Sequence, residues 1–519
     1  MTTLDWILAA AALTALIVIA VVLGRLNKSV ADFLIAGRQV RKYLGMSSGT
    51  AEGLGLASIA ASLQQGMQHG FALIWVSLIL MAYSVPVFGI FGLGIKRFRA
   101  TRCMTIPEFL EKRYSRRLRV LAGGVLALSG ILNMAIFPIT GSLFLTAFCG
   151  LPDTLAVGPW DINSVHLVMF ALVGLAVLFT FLGGMVTVVV TDYIQATIVV
   201  SCLLFVGFST FIREGGPRIH QVLSDSLGES AFNPFLGGSY GFTWILWVFL
   251  LTTANKLAFA PAVQKMASAD SPETARKMEL LQSLFGIGMR IILLLIGIGA
   301  LASLGAVPPE GQTAESYFRF AGAVHLRQTL PLGLMGLMFS ALLFASISTD
   351  DSYLLSWSAI IVNDLIQPLL GRELSHRQHI RLLRGVILLI GAFLIAFGLL
   401  YDPRESILDY IYLTGTLIGG IGISVYMGLY WSRATTQGAC AGLLTCVVVP
   451  LADLFGKQLI GERYPLSTQQ SGVIGILGAV LIMVVVSLLT AKSGPDPRWV
   501  DYGKIMRENE AAETEGLSA

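Results

Sequence analysis

The chain has 519 residues, of which 55% are hydrophobic and only 13% are charged. Because soluble proteins carry about 25% charged residues, this composition excludes a soluble globular protein and indicates an integral membrane protein. The net charge of +4 is modest and does not suggest a nucleic-acid partner. The five cysteines are scattered, so their spacing indicates neither a disulfide framework nor a zinc site.

Thirteen apolar runs are long enough to cross a bilayer, which takes about 20 residues in a helix. No cleavable signal peptide is evident, since the first run can span and no basic segment precedes it. We predict transmembrane helices at approximately 5–24, 44–67, 71–95, 118–148, 164–183, 186–212, 239–261, 280–305, 332–366, 383–400, 406–431, 434–454 and 472–491.

Basic residues are dense after the first and third runs and in the tail after Ala491, but absent from 150–164. Because cytoplasmic loops are enriched in lysine and arginine, this pattern predicts an external N-terminus and a cytoplasmic C-terminus. The expected location is the plasma membrane, which is the inner membrane in a bacterium.

The second run is rich in glycine and contains an acid, Glu52. Glycine destabilises a helix by about 1 kcal/mol, so we predict an unwound segment near Gly49–Gly55. Unwound backbone at membrane depth lines cavities, and its free carbonyls can bind a cation. The alternative is a glycine-rich helix packed tightly against a neighbour.

The seventh run is interrupted by Thr252, Thr253, Asn255 and Lys256 before Pro261. The two irregular runs are five apart, as expected for two inverted repeats of five helices with a binding site between the broken helices. Lys256 is then either a contact of the transported solute or the ion-pair partner of an internal acid, with Glu52 the candidate.

The connections after these runs have different predicted environments. Residues 262–279, which include Lys265, indicate a solvated cytoplasmic helix, and 306–330 indicate an external loop long enough for a short lid helix. Asp192 lies about two turns inside the sixth run, where it either favours the helix start or serves a site. Arg290 falls inside the eighth run and needs a partner.

The ninth run carries a polar cluster in its middle. Hydroxyl and carboxylate oxygens are hard donors that suit a small cation, and buried acids are costly unless paired or neutralised. A kinked helix whose hydroxyls bond back to its own carbonyls would account for the serines and threonine, but not for two acids. The cluster comprises Ser346, Ser348, Thr349, Asp350, Asp351 and Ser352.

Away from the span ends, the predicted spans contain two more acids than bases, which leaves negative charge for protons or bound cations to neutralise. The acids are Glu52, Asp192, Asp350 and Asp351, and the bases are Lys256 and Arg290.

Several motifs together resemble the sodium:solute symporter family. They are ADFLIAGR (31–38), TIPEFLEKRY (105–114), GGMVTVVVTDYIQA (183–196), VQKMASADSPETAR (263–276) and GLMGLMFSALLFASISTDDS (333–352). The resemblance implies an all-α membrane protein with a core of ten helices in two inverted repeats, one helix before it and two after. It also implies sodium-driven uptake by alternating access, with sodium as the coupling ion.

The resemblance also implies sodium ligands. One sodium would be held by the hydroxyls of Ser348 and Thr349 and by carbonyls of Ala51 and Leu54. A shift of one residue would instead select the carbonyls of Thr50 and Gly53 and place Glu52 at an acidic position of the family. A second sodium site, present in some members, would use Asp192, Ser348, Asp351 and Ser352.

Some positions depart from the family pattern. Asp350 replaces a residue that is usually small, Lys256 an uncharged one, and the Gly-x-Pro-Gly stretch is not evident at 61–64. Because these positions lie near the expected pocket, the resemblance does not identify the solute. The predicted solute contacts are Glu52, Gly53, Ser58, Thr252, Asn255 and Lys256.

We therefore predict a sodium-coupled symporter for a small organic solute, anionic or zwitterionic, and not an enzyme. The alternatives are a proton-coupled carrier of the same fold and a transporter-like membrane sensor, which would carry a signalling domain after the spans. The predicted division is 1–43 (leading helix and loop), 44–212 (first repeat), 213–432 (second repeat) and 433–519 (two further helices and tail). The sequence does not indicate an oligomeric state.

Overall fold

The computed structural model describes residues 2–25, 29–157, 160–236, 241–310, 313–331, 333–371, 374–401, 407–460, 465–491, 496, 498–501, 504, 505, 507 and 508. Apart from one short hairpin, β1 (Thr154–Val157) and β2 (Trp160–Asn163), these residues form helices and their connections. The helices are α1 (Thr3–Gly24), α2 (Val30–Ile35), α3 (Lys42–Gly53), α4 (Leu56–His69), α5 (Ala72–Ser84), α6 (Ile95–Ala100), α7 (Ile106–Arg113), α8 (Arg116–Ala135), α9 (Phe137–Cys149), α10 (Ser164–Glu214), α11 (Gly216–Leu227), α12 (Phe242–Asn255), α13 (Ala260–Ala267), α14 (Pro272–Leu304), α15 (Ala314–Thr329), α16 (Leu334–Ile360), α17 (Gln367–Leu370), α18 (His376–Leu400), α19 (Ile407–Tyr430), α20 (Thr436–Ile460) and α21 (Thr468–Thr490).

Each of the thirteen predicted spans falls on a helix or a helix pair, which confirms the all-helical membrane class. The spans 164–183 and 186–212 form one long helix, α10, which is kinked at Gly184 (φ 60°, ψ −169°). Within the described residues, nine helices are long and apolar enough to cross a membrane, or ten with the bent pair α12–α13. The count of thirteen, the inverted repeats and the four-part division stay predictions.

Both predicted breaks are present, and both are shorter than the sequence suggests. Helix α3 continues to Gly53, so only Leu54 and Gly55 separate it from α4. Helix α12 continues through Asn255, and α13 follows at a bend of 42°. The second run is therefore non-helical only at Leu54 and Gly55, the last two residues of the predicted unwound segment.

Glycines bring the broken helices close to α14. A Cβ on Gly66 of α4 would overlap the carbonyl oxygen of Leu294, and one on Gly297 of α14 would overlap that of Leu63. Only glycine permits two helix backbones to approach this closely. This contact sets the spacing of the α3–α4 and α14 walls that enclose the central cavity.

The first helix is anchored to the start of α16 by a buried acid. Asp5 Oδ1 accepts backbone N–H groups of Gly333 (3.1 Å) and Gly336 (2.9 Å). A carboxylate is favourable there because the first N–H groups of a helix have no partner within it and carry partial positive charge. The contact fixes one end of the helix that carries the polar cluster.

The predicted external loop does carry a helix, α15, and His325 ties it to the bundle. The His325 ring is buried between the hydroxyls of Ser303 (2.7 Å to Nδ1) and Thr210 (3.2 Å to Nε2). Burial, with a smaller effect of the nearby positive charge of Arg213, lowers the pKa of His325 to about 4.

We expect His325 to make the stability of α15 depend on pH. Its folded pKa lies below the ordinary value of 6.5, so the unfolded chain binds more protons and stability falls as the pH is lowered. The loss between pH 7 and pH 5 should be about 2 kcal/mol. In Tm scans over this range, His325→Gln should lose less stability than the wild type. Parallel declines of the two proteins would contradict this expectation.

Candidate functional site

The middle of α16 faces the break between α3 and α4. Ser348 Oγ donates to the carbonyl of Ala51 at 3.2 Å, and Thr349 Oγ1 donates to that of Glu52 at 2.9 Å. Both hydroxyls also contact the carbonyl of Ala345 in their own helix. The group is buried and consists of hydroxyl and carbonyl oxygens, the donors that a hard cation prefers.

Gly55 makes room for this contact, since a Cβ there would overlap the Thr349 hydroxyl. The predicted registers named the carbonyls of Ala51 and Leu54, or those of Thr50 and Gly53. The hydroxyls reach the carbonyl of Ala51, which the first register names, and that of Glu52, which neither register names. Leu54 follows as the first non-helical residue. Which carbonyls bind an ion stays a prediction.

The predicted solvated helix at 262–279 is wrong for its first part. Lys265 lies on α13 with only 3% of its surface exposed. Its ammonium contacts the carbonyl of Ser48 (2.9 Å), Glu52 Oε2 (3.0 Å) and Asp192 Oδ2 (3.1 Å). The charged residues of this stretch indicated exposure, yet α13 packs against α3 and α16 and places Lys265 beside two buried acids.

The remaining polar residues of α16 bond mainly along their own helix. Ser352 Oγ donates to the carbonyl of Ser348 (2.9 Å) and to Asp351 Oδ1 (3.4 Å), and Ser346 Oγ donates to Asp350 Oδ2 (3.1 Å). The carboxylate of Asp351 is close enough to the charges of Asp192 and Lys265 to interact with both. Some of the hydroxyls therefore bond back to carbonyls of their own helix, as the alternative of a kinked helix predicts. That alternative still leaves the charges of Asp350 and Asp351 to be neutralised.

A cavity of about 330 Å³ lies on the other side of the α3–α4 break, between α3, α4, α5, α12 and α14. Ten of its sixteen lining residues have polar side chains, and three of these are charged. Its lining residues are Gly49, Thr50, Gly53, Leu54, Ser58, Ser62, Ser84, Thr252, Lys256, Glu279, Gln282, Ser283, Gly286, Ile287, Arg290 and Leu293. A larger cavity of about 570 Å³, near Glu108, Arg119 and His379, lies away from both breaks.

Four of the six predicted solute contacts line the central cavity: Gly53, Ser58, Thr252 and Lys256. Two do not line it. Glu52 directs its carboxylate to Lys265, and Asn255 Nδ2 donates to the carbonyl of Gly415 on α19 at 3.0 Å.

Lys256 does pair with an internal acid, as one of the two alternatives has it, but Glu52 is the wrong acid. The Lys256 ammonium pairs with the carboxylate of Glu279 on α14, which also accepts from Ser283 Oγ at 2.8 Å. Glu279 was missed because α14 begins at Pro272, well before the apolar run that marked the span. Adding Glu279 and Lys265 to the charges counted from the sequence gives five acids and three bases, so the excess of two acids is unchanged.

Arg290 is the least compensated cation of the central cavity. Its Nη2 donates to Gln65 Oε1 at 3.4 Å, a long hydrogen bond, and its buried Nε has no partner among the described residues. The described residues also provide no ion pair for it, in contrast to Lys256.

These features define a class of protein. A helical membrane protein with two broken helices beside a polar central cavity, and a cluster of cation-binding oxygens at one break, is a secondary transporter. The model of the sodium:solute symporter family matches residues 33–446, and the chain belongs to that family. It is therefore a multi-pass membrane transporter of a sodium-coupled family, and not an enzyme.

Characterised relatives are distant but cover most of the chain. Identity is 23% to the high-affinity proline transporter PutP of Bacillus subtilis, over 89% of this chain and 93% of that protein. It is 23% to the sodium/glucose cotransporter of Vibrio parahaemolyticus (92% and 88%) and 25% to the sodium/pantothenate symporter of Haemophilus influenzae (80% and 81%).

Solved structures share the fold. A Na⁺-coupled sialic acid symporter in a substrate-bound outward-open state superposes with a TM-score of 0.79 at 18% identity, covering 95% of this chain and all of the other. MhsT in complex with L-phenylalanine gives a TM-score of 0.55 at 13% identity, covering 87% of this chain and 98% of the other. The relatives transport chemically different solutes, so membership alone does not identify the solute here.

Proposed function

We propose that this transporter imports a small carboxylate-bearing organic solute together with sodium, by alternating access. The observation that carries the proposal is the position of the α3–α4 break between two sites. On one side, the carbonyls of Ala51 and Glu52 face the hydroxyls of α16. On the other side, the next two residues, Gly53 and Leu54, line the central cavity.

Sodium would bind to the hydroxyls of Ser348 and Thr349 and to carbonyls at the break, Ala51 and Leu54 among them. Each hydroxyl would then turn its lone pairs toward the ion and give up the hydrogen bonds that it now donates. The ion would connect α16 to the broken helix and fix the backbone of Gly53 and Leu54. Solute and sodium would thereby stabilise the same state and bind cooperatively.

The charges of the cavity favour an anionic group on the solute. Glu279 compensates Lys256, whereas Arg290 has no acid beside it among the residues that the structure describes. A guanidinium binds a carboxylate with two parallel hydrogen bonds, which makes Arg290 the proposed anchor. The volume of about 330 Å³ is at the small end of ligand pockets, which favours a small solute.

The test is a Tm screen of small carboxylates and their neutral amides in sodium chloride. We expect a carboxylate to raise the Tm of the wild type and of Arg290→Lys, because both keep a cation in the cavity. Arg290→Gln should lose at least about tenfold in affinity for the carboxylate, the effect of a lost charged hydrogen bond. The amide should be inactive with all three proteins. An amide as effective as its acid would contradict the proposed solute class.

A proton-coupled carrier is the second candidate, and one observation favours it. Asp350 is buried, bonds to the Ser346 hydroxyl, and pairs with no basic side chain among the described residues. Such a carboxyl group can carry a proton through the transport cycle. Replacing Asp350 with asparagine should leave sodium-driven uptake intact if sodium alone is coupled, and should abolish uptake driven by a pH gradient if a proton is coupled.

A further inference from the structure

The ammonium of Lys265 is enclosed by oxygens as a bound cation would be. A lysine ammonium has three N–H donors, and the three oxygens at 2.9–3.1 Å belong to Ser48, Glu52 and Asp192. Two of these oxygens are carboxylate oxygens and the third is a main-chain carbonyl. The same combination of donors suits a hard metal cation.

Asp192 is the acid around which a second sodium was predicted, and it is already engaged. Its Oδ2 accepts from the Ser48 hydroxyl at 2.5 Å and from Lys265 at 3.1 Å. Of the other predicted ligands, Ser348 belongs to the proposed first sodium site, and the Ser352 hydroxyl donates to the main-chain carbonyl of Ser348. A sodium ion at Asp192 would therefore lie beside a fixed positive charge.

We infer that Lys265 is a tethered cation in place of a second sodium, so that this transporter binds one sodium per transport cycle. Two like charges about 4 Å apart in a partly buried site repel enough to weaken binding by about a thousandfold. Lys265 is attached to the chain and buried, so it holds Asp192 at every sodium concentration. The inference rests on the proposed function for the first sodium, at Ser348 and Thr349.

Removing the ammonium would open this position to sodium. Asp192 Oδ1 and Asp351 Oδ2 are buried and accept no hydrogen bond from the described residues. Without Lys265, Glu52 and Asp192 would also lose their shared counter-ion. The carboxylates of Glu52 and Asp192, which now share the ammonium of Lys265, would then attract a small cation in its place.

The experiment counts sodium ions per purified protein, with radioactive sodium in a scintillation proximity assay at saturation. We expect one ion in the wild type, one in Lys265→Arg, which keeps the cation, and two in Lys265→Met. The Hill coefficient of sodium binding should rise from about one to above one in Lys265→Met alone. Two ions in the wild type, or one in a folded Lys265→Met, would overturn the inference.

Asp192→Asn supplies a second test that does not depend on Lys265→Met folding. If Asp192 holds Lys265, this variant keeps one bound sodium, although its Tm falls. If Asp192 holds a sodium, the count drops from two to one, and the inference is overturned. A wild type that binds no sodium would overturn the proposed function itself, together with the count of one.

Discussion

Replacing Thr349 with alanine is expected to remove at least about half of the rise in Tm that sodium chloride produces over potassium chloride at equal ionic strength. The Thr349 hydroxyl lies 2.9 Å from the carbonyl of Glu52 and is one of two α16 hydroxyls at the break. Loss of a ligand should weaken sodium binding at least about tenfold, since affinity for a hard cation follows the number and charge of its ligands. A bound ion present at about 100 times its Kd stabilises the folded state by about 2.7 kcal/mol, so the effect is large.

The hydroxyl itself can be separated from the size of the side chain. Thr349→Ser keeps the hydroxyl and should keep the sodium effect, whereas Thr349→Val keeps the shape and should lose it. Without sodium, Thr349→Ala should cost only about 1 kcal/mol, the value of a neutral hydrogen bond, so the protein should still fold. A sodium-dependent rise in Thr349→Ala equal to that of the wild type would place the ion elsewhere.

Replacing Gly297 with leucine is expected to destabilise the protein severely. A side chain at this position would overlap the carbonyl of Leu63, and Gly66 lies directly opposite. A backbone atom of a packed helix cannot move aside without moving the helix. We therefore expect the free energy of unfolding to fall by about 3 kcal/mol or more. Since α4 and α14 enclose the cavity, any protein that folds should also lose solute binding.

The same helix provides the control. Gly288 also lies on α14, and a Cβ there would meet no atom within 4 Å. Gly288→Leu should therefore purify as a monodisperse protein with a Tm close to that of the wild type, while Gly297→Leu aggregates or melts much lower. Equal behaviour of the two variants would show that the α4–α14 contact does not set the spacing of the cavity walls.

Local composition was enough to predict the breaks and the oxygen cluster. The glycines near Gly53 and the polar residues before Lys256 lower the helix propensity of a few neighbouring residues. Such local effects can be predicted from the sequence alone. The acids of α16 are recognisable for a similar reason, because a charge in an apolar run is rare wherever the chain folds.

Pairing between distant segments could not be predicted in this way. Lys265 meets Glu52 and Asp192 across three different helices, and Glu279 meets Lys256 across two. The charged residues of 262–279 suggested a solvent-exposed helix. A lysine in a local sequence pattern can be solvated by water or paired with a buried acid, and the pattern does not distinguish the two. The start of α14 was placed too late for the same reason, since its first turns are polar and the apolar run begins later.

The most direct measurement of the central claim is solute accumulation in proteoliposomes. It uses the carboxylate found in the Tm screen and compares an inward sodium gradient with an inward potassium gradient and with a pH gradient. We expect accumulation above the external concentration with the sodium gradient alone, and none in proteoliposomes that contain Thr349→Ala. Equal uptake with potassium, or accumulation driven by the pH gradient without sodium, would contradict this expectation.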